Sequence, residues 1–225
     1  MNSISDNLHR VRERIAASAL RCGRTPAEVT LLAVSKTFPA DAVAEALAAG
    51  QCKFGENRVQ ELSEKAPRLP ASCQWHLIGH LQQNKVRQAL QFASVLQAVD
   101  SISLLQRINR IAEEKNLTPE ILLEVNISGE DSKFGVPPDD VEALLEATRS
   151  GPARCIGLMT IAPLLASETE LAAVFSALRQ LRDRLVSSTG LTLPELSMGM
   201  SGDFEIAIAE GATIVRIGSA IFGHR

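Results

Sequence analysis

Apolar residues fall along the chain in two patterns, stripes spaced three to four residues apart and short continuous runs. Ile4, Leu8, Val11, Ile15 and Ala19 return every three to four positions and stop before Gly23, which predicts an N-terminal helix. Thr25-Pro26-Ala27-Glu28 then reads as a second helix start, with an N-cap, a proline in the first turn and a capping glutamate. From there, short apolar and often β-branched runs alternate with helical stretches. The runs are Leu31–Ser35, Cys52–Gly55, Trp75–Ile78, Val95–Val99, Ile121–Val125, Cys155–Met159, Glu195–Met198 and Ile214–Ile217, eight in all. The clearest helical interval carries Leu171, Val174, Phe175, Leu178, Leu181 and Leu185 on one face.

Strands that alternate with helices imply right-handed βαβ units and a parallel sheet. Eight of them favour an α/β fold closed as a (β/α)8 TIM barrel over an open doubly wound sheet, an alternative that a count of runs leaves standing. No Gly-x-Gly-x-x-Gly follows the first strand, which argues against a dinucleotide fold. The extra N-terminal helix is expected to cover the seam left by the short segment after strand eight. Residues 1–225 then form a single barrel domain. A domain of that size buries about three-quarters of its unfolded surface and needs no disulfide or metal.

Composition narrows the partners. With 45% hydrophobic residues, 22% charged residues and a net charge of −3, the chain has no global field for nucleic acid or an anionic membrane. It has no run of about 18 apolar residues to span a bilayer. Its start, Met1-Asn2-Ser3-Ile4, lacks the basic and apolar stretches of a signal peptide, so a soluble cytoplasmic protein is expected. Cys22, Cys52, Cys73 and Cys155 are scattered, as reduced thiols are. His76 and His80 stand four apart, but in a strand-like run without a third ligand, so no metal site is expected. A small anionic ligand therefore needs local positive groups.

Barrels bind ligands at the C-terminal ends of their strands. Of six lysines, only Lys36 directly follows an apolar strand at that end. Lys53 enters strand two from the opposite end, while Lys65, Lys85 and Lys115 fall on helical faces expected to be solvated. A lysine desolvated at a barrel mouth has a lowered pKa and a free amine that attacks an aldehyde. The plainer alternative is a surface lysine that merely follows a strand. Near the other end of the chain, Met198-Gly199-Met200-Ser201-Gly202-Asp203 follows strand seven and Gly218-Ser219-Ala220 follows strand eight. These are the loops where barrels frequently hold phosphate. Ser201 and Ser219 supply hydroxyls, and Gly202 and Gly218 let backbone N–H groups approach. Arg216 offers a two-pronged cation, worth about 1.5–3 kcal/mol per charge-assisted bond. The alternative is that the glycines only make turns and that Arg216 pairs with Asp203 or Glu205. An amine at strand one and a phosphate cradle at strands seven and eight suit a ligand with both an aldehyde and a phosphate. Pyridoxal 5′-phosphate (PLP) is such a ligand.

Longer blocks carry a resemblance. They are Ala33-Val34-Ser35-Lys36, Phe54-Gly55-Glu56-Asn57-Arg58-Val59-Gln60-Glu61 and Trp75-His76-Leu77-Ile78-Gly79-His80-Leu81-Gln82-Gln83-Asn84-Lys85. Further on come Val125-Asn126-Ile127, Lys133-Phe134-Gly135, Gly157-Leu158-Met159-Thr160, and the stretch from Leu196 to Ser201 with Arg216 to Gly223. The chain resembles, over nearly its whole length, the pyridoxal phosphate homeostasis protein family, single-barrel relatives of the alanine racemase N-terminal domain. The resemblance implies that Lys36 carries PLP as an internal aldimine. It implies that Ser201, Gly202, Arg216, Gly218 and Ser219 hold the phosphate and that Asn57 lies beside the cofactor. Lys133 matches a lysine implied to help a second PLP arrive or leave. Leu77 stands where many relatives carry phenylalanine, a volume change in an apolar position. Arg225 is the nearest match for an arginine facing the pyridine nitrogen.

The resemblance also implies a carrier. Such a protein binds PLP without dedicated turnover, buffers it in the cell and influences amino-acid and keto-acid balance. PLP-dependent apo-enzymes are the candidate recipients, and a monomer is the expected state. The alternative is a PLP-dependent amino-acid racemase or decarboxylase. A barrel-class racemase takes a tyrosine base from a β domain of its partner subunit, whereas this chain has no tyrosine and its eighth strand ends near the C-terminus. His80 is then the one plausible replacement base, and a carbanion at such a site stands open to water. A class I aldolase also combines a lysine with a phosphate site, but the early position of Lys36 argues against it.

Overall fold

The structure is a computed structural model, and it describes residues 3–130 and 133–223. Its strands are β1 (Thr30–Val34), β2 (Lys53–Glu56), β3 (Gln74–Leu77), β4 (Ala93–Val99), β5 (Glu120–Glu124), β6 (Arg154–Met159), β7 (Glu195–Ser197) and β8 (Ile214–Ile217). They pair in chain order as a closed parallel barrel. Closure is made by β1 on β8, with Leu32 opposite Arg216 and Ala33 opposite Ile217. The open sheet is thereby excluded, and the fold is a TIM barrel. Every run read from the periodicity is a strand, with bounds within two residues of those expected.

The N-terminal helix α1 (Ile4–Arg21) starts at a capping box in which Ser3 and Asp6 each accept from the other's backbone N–H. Its buried stripe of Leu8, Val11, Ile15 and Ala19 packs against α2 (Ala40–Ala48), α4 (Phe204–Ala209) and α5 (Ser219–Phe222). Those helices follow β1, β7 and β8, so α1 covers the seam where the barrel closes. Asn7 fastens it there by donating to Ile221 O at 2.8 Å. The second helix start behaves differently. Thr25 and Glu28 do form a capping box, yet the helix is a single 3-10 turn, Pro26–Glu28. Val29 is already extended, and Thr30 N–H donates to Thr213 O at 2.7 Å, so strand pairing claims the chain before a second turn forms. Among the described residues no helix is long and apolar enough to cross a membrane.

Two-residue alternation sorts each strand between the two sides of the barrel wall. Ala33 and Ile217 join the layer under the helices, whereas Leu32 and Val34 face inward with Ile78 and Ile214. Val95, Ala98, Leu122 and Met159 form a second interior cluster. A polar chain also runs through the interior. Arg216 donates to Ser197 Oγ and to Thr160 O, both at 2.8 Å. Ser197 Oγ donates to Gln97 Oε1 at 2.7 Å, and Gln97 Nε2 donates to His76 Nδ1 at 2.8 Å. All five residues are buried, and the uniform direction of donation leaves each linking atom with a partner.

Candidate cofactor site

Lys36 stands two residues beyond Val34, on the inward parity of β1, at the C-terminal rim of the barrel. It is exposed, which corrects the expectation that the barrel mouth desolvates it. The backbone around it is nonetheless ordered. Phe38 N–H donates back to Ser35 O at 3.1 Å and closes a turn about the lysine. The Phe38 ring stacks on Phe222 of α5 with centroids 5.2 Å apart, so the lysine loop touches the element that follows β8. Gly218 lies in the same seam. A Cβ there would meet Val34 O at 3.2 Å, tighter than most such contacts, and glycine avoids the crowding.

The loops after β7 and β8 meet as expected. Ser201 Oγ accepts from Ala220 N–H at 3.4 Å, and open space lies where Gly202 would carry a side chain. Neighbouring N–H groups are occupied: Met200 donates to the Asp203 carboxylate, and Ile221 and Phe222 donate to Gly218 O. The N–H groups of Ser201, Gly202 and Ser219 have no acceptor among the described residues. Unpaired backbone donors around an open glycine, with two hydroxyls beside them, are the chemistry of an anion cradle and fit a phosphate group.

Arg216 sits in the floor of this mouth rather than in the loop, with two of its nitrogens already serving Ser197 and Thr160. Neither carboxylate named as its simpler partner takes it up: Glu205 pairs with Arg14 at 3.2 Å, and Asp203 accepts from Met200. Burial pulls the guanidinium down to about 10, against the charges of Glu124 and Asp203, which leaves it cationic at neutral pH. Glu124 closes β5 and is buried. That burial, reinforced by the charge of Asp100 and opposed by Arg216, pushes its carboxyl up to about 7. At the far end of the polar chain, burial and the charge of Lys53 pull His76 down to about 4, so the imidazole is neutral and can accept from Gln97. Among the described residues no three His, Cys, Asp or Glu side chains cluster as metal ligands.

The rest of the rim carries the remaining candidates. Asn57 is half-buried and follows Gly55, whose own side-chain position points at Leu32 and Ile78 inside the barrel. Its backbone lies against Gly79 so closely that a Cβ at 79 would sit 2.3 Å from Asn57 O. His80 is 3.4 Å from Asp100 and stacks on Phe134 with centroids 4.2 Å apart. Lys133 pairs with Glu130 at 2.7 Å, beside a cavity of about 150 Å3 that Glu124, Asn126, Phe134 and Ile161 also line. Arg225 lies outside the described residues.

Comparison with known proteins identifies the family. A family model for the alanine racemase N-terminal domain matches residues 3–225. The chain is 42% identical over 222 residues to the pyridoxal phosphate homeostasis protein of Aquifex aeolicus, covering 98% of this chain and 97% of that protein. With the Escherichia coli protein of the same name, identity is 44% over 237 residues, 100% of this chain and 98% of the other. The chain belongs to the pyridoxal phosphate homeostasis protein family. A structure of PipY from Synechococcus elongatus, solved with PLP bound, is similar at a TM-score of 0.84 and 42% identity, over 95% of this chain and 100% of that one.

Within this homeostasis-family barrel, two groups of residues escaped the sequence. Lys65, expected on a solvated face of α3 (Val59–Lys65), is buried, 2.7 Å from Glu56 and 3.3 Å from Glu61. Glu124 and the polar chain of His76, Gln97, Ser197 and Thr160 were also missed. One signal was available for Glu56 and Glu124. Each is a carboxylate at the C-terminal end of a barrel strand, the end where barrels keep their chemistry. Nothing comparable marks Gln97 or Ser197, which meet across the barrel from β4 and β7.

Proposed function

We propose that this chain binds PLP as a Schiff base on Lys36 and acts in PLP homeostasis as a carrier or buffer, without a dedicated turnover. One observation carries the reading: the loop of Lys36 and the loops holding unpaired N–H donors meet in the single seam between β1 and β8. PLP would supply an aldehyde for the amine, a phosphate for the cradle and, once linked, an electron sink. Ser201, Gly202, Gly218 and Ser219 then hold the phosphate, and Asn57 borders the ring. Arg216 contributes its positive charge from the floor, held in place by Ser197 and Thr160. Lys133, on the opposite part of the rim, is positioned for a PLP arriving or leaving.

The carrier role is supported by the curated relatives, which this chain matches over 97–98% of their length. The absence of tyrosine from the sequence also supports it, since the racemase chemistry of such barrels draws on one. We assign the protein to the cytoplasm as a monomer, with PLP-dependent apo-enzymes as the recipients. The racemase reading retains one favourable observation, the His80–Asp100 pair at the rim. Incubation with single amino acid enantiomers tests it, since turnover that disappears in His80→Ala would turn the assignment from carrier to enzyme.

The direct test is the visible spectrum of the purified protein with PLP, before and after borohydride, followed by peptide mapping. A yellow band that reduces to a phosphopyridoxyl group on Lys36, and that Lys36→Ala lacks, is the expected result. A colourless, unmodified protein, or a mark on another lysine, would overturn the assignment.

A further inference from the structure

The lysine rim rests on a buried ionic cluster that lies on the far side of the barrel wall from the cofactor mouth. Glu56 is fully buried, as is Ser35 beside it, and Ser35 Oγ donates to Glu56 Oε1 at 2.7 Å. Lys65 Nζ donates to the same Oε1 at 2.7 Å, to Ser35 O at 2.8 Å and to Glu61 Oε2 at 3.3 Å. Glu61 Oε2 in turn accepts from the backbone N–H of Thr37 at 2.7 Å. Both neighbours of Lys36 in the chain are therefore tied to one cluster, and Lys36 itself is left facing the mouth.

Two features indicate that the cluster does more than add stability. Thr37 has φ +69°, in the left-handed region that a β-branched residue rarely enters, so the backbone immediately after Lys36 is held in a costly conformation. Glu56 Oε2 is, among the described residues, the buried side-chain oxygen without a hydrogen-bond partner, a second local cost. A buried ion pair is seldom better for stability than well-packed apolar residues, because desolvation offsets most of the attraction. Here both costs fall on the segment that presents the lysine. Lys36 is exposed and, among the described residues, no neighbouring side chain encloses it, so where its amine is presented depends on how its backbone is held.

We infer that Lys65, Glu56 and Glu61 are positioning residues for Lys36: they fix the Ser35–Thr37 backbone so that the amine is presented to an aldehyde whose phosphate is seated in the loops after β7 and β8. The inference rests on the PLP reading of Lys36. Glu61 is the cleanest handle, because its carboxylate is partly exposed and its bond to Thr37 N–H can be removed without emptying the core.

The test compares Glu61→Ala, Glu61→Gln and Lys65→Met with the unaltered protein by two readouts. One is hydrogen exchange of the Thr37 amide in protein free of PLP. The other is the rate at which the yellow band grows on mixing with PLP. Glu61→Ala removes the acceptor, so Thr37 exchange should rise about tenfold or more and attachment should slow about five- to tenfold. Glu61→Gln keeps an oxygen for Thr37 and should stay within about twofold of the unaltered protein on both measures. Lys65→Met should follow Glu61→Ala; if it fails to fold, Glu61→Ala decides alone. A Glu61→Ala protein that attaches PLP as fast as the unaltered one would overturn the inference while leaving the function standing. Failure of the unaltered protein to attach PLP at Lys36 would overturn the functional reading, and this inference with it.

Discussion

Replacing Glu124 with glutamine should stabilise the protein at alkaline pH and leave the acid side almost unchanged. In the fold, burial and the charge of Asp100 make this carboxyl keep its proton up to pH about 7, against 4.5 for an ordinary glutamate. Between those values the folded state still binds a proton that the unfolded chain has released, so stability falls as pH rises. Above pH about 7 both states are ionised and the whole penalty is in force. A displacement of that size corresponds to about 3 kcal/mol. Arg216 titrates only at about 10 and stays cationic throughout, so it does not move the window. Glutamine matches the shape of glutamate and cannot ionise. The assay is urea denaturation of both proteins, free of PLP, from pH 4.5 to 8.5. Other titrating groups are common to the two proteins and cancel in the difference. That difference should grow by about 2–3 kcal/mol in favour of the variant between the two ends of the range. A difference that stays flat would mean that the carboxyl ionises as readily in the barrel as in the unfolded chain, and the electrostatic account of the mouth would be refuted.

Other perturbations probe the same framework. His76→Gln keeps an acceptor for Gln97 but cannot be protonated. Because His76 is held neutral down to pH about 4, the wild type should lose about 3 kcal/mol more than the variant as pH falls from 6.5 to 4, and parallel pH curves would show that the ring is not buried neutral. Arg216→Met lifts the desolvation cost of the guanidinium but leaves Ser197 Oγ and Thr160 O without their buried donor, so it should destabilise the fold by about 1–3 kcal/mol in denaturant. PLP retention by the folded variant on gel filtration should weaken by about 1.5–3 kcal/mol, roughly 10- to 150-fold, and undiminished retention would exclude a role for the cation. Gly79→Ala places a Cβ against the backbone of Asn57 and should cost about 3 kcal/mol in denaturant, whereas an unchanged midpoint would contradict the close approach of the two rim loops.

What could be read directly was whatever is local to a segment. Short apolar runs separated by period-3.6 stretches mark eight strands without reference to any partner, and eight alternating units leave few topologies open. Placing Lys36, Ser201, Gly202, Gly218 and Ser219 at strand ends needed only the strand bounds and the rule that barrels bind at those ends. Local signals also misled where pairing overrode them. The capping box at Thr25 is present, but β1 takes over after one turn. Lys65 belongs to a helix with an ordinary polar sequence, and it is buried only because its stem crosses the end of β2 toward Glu56 and Ser35.

The tertiary structure decided which residues share an environment. Closure of β1 on β8 brings the lysine loop against the segment that follows β8. It also puts Arg216 in line with Ser197, Gln97 and His76, four residues on four strands whose hydrogen bonds no sequence spacing announces. The same closure leaves Lys36 in water and Glu124 out of it. The physical reason is that periodicity is a property of one segment, whereas burial, and with it every shift in proton affinity, depends on what other segments lay over it.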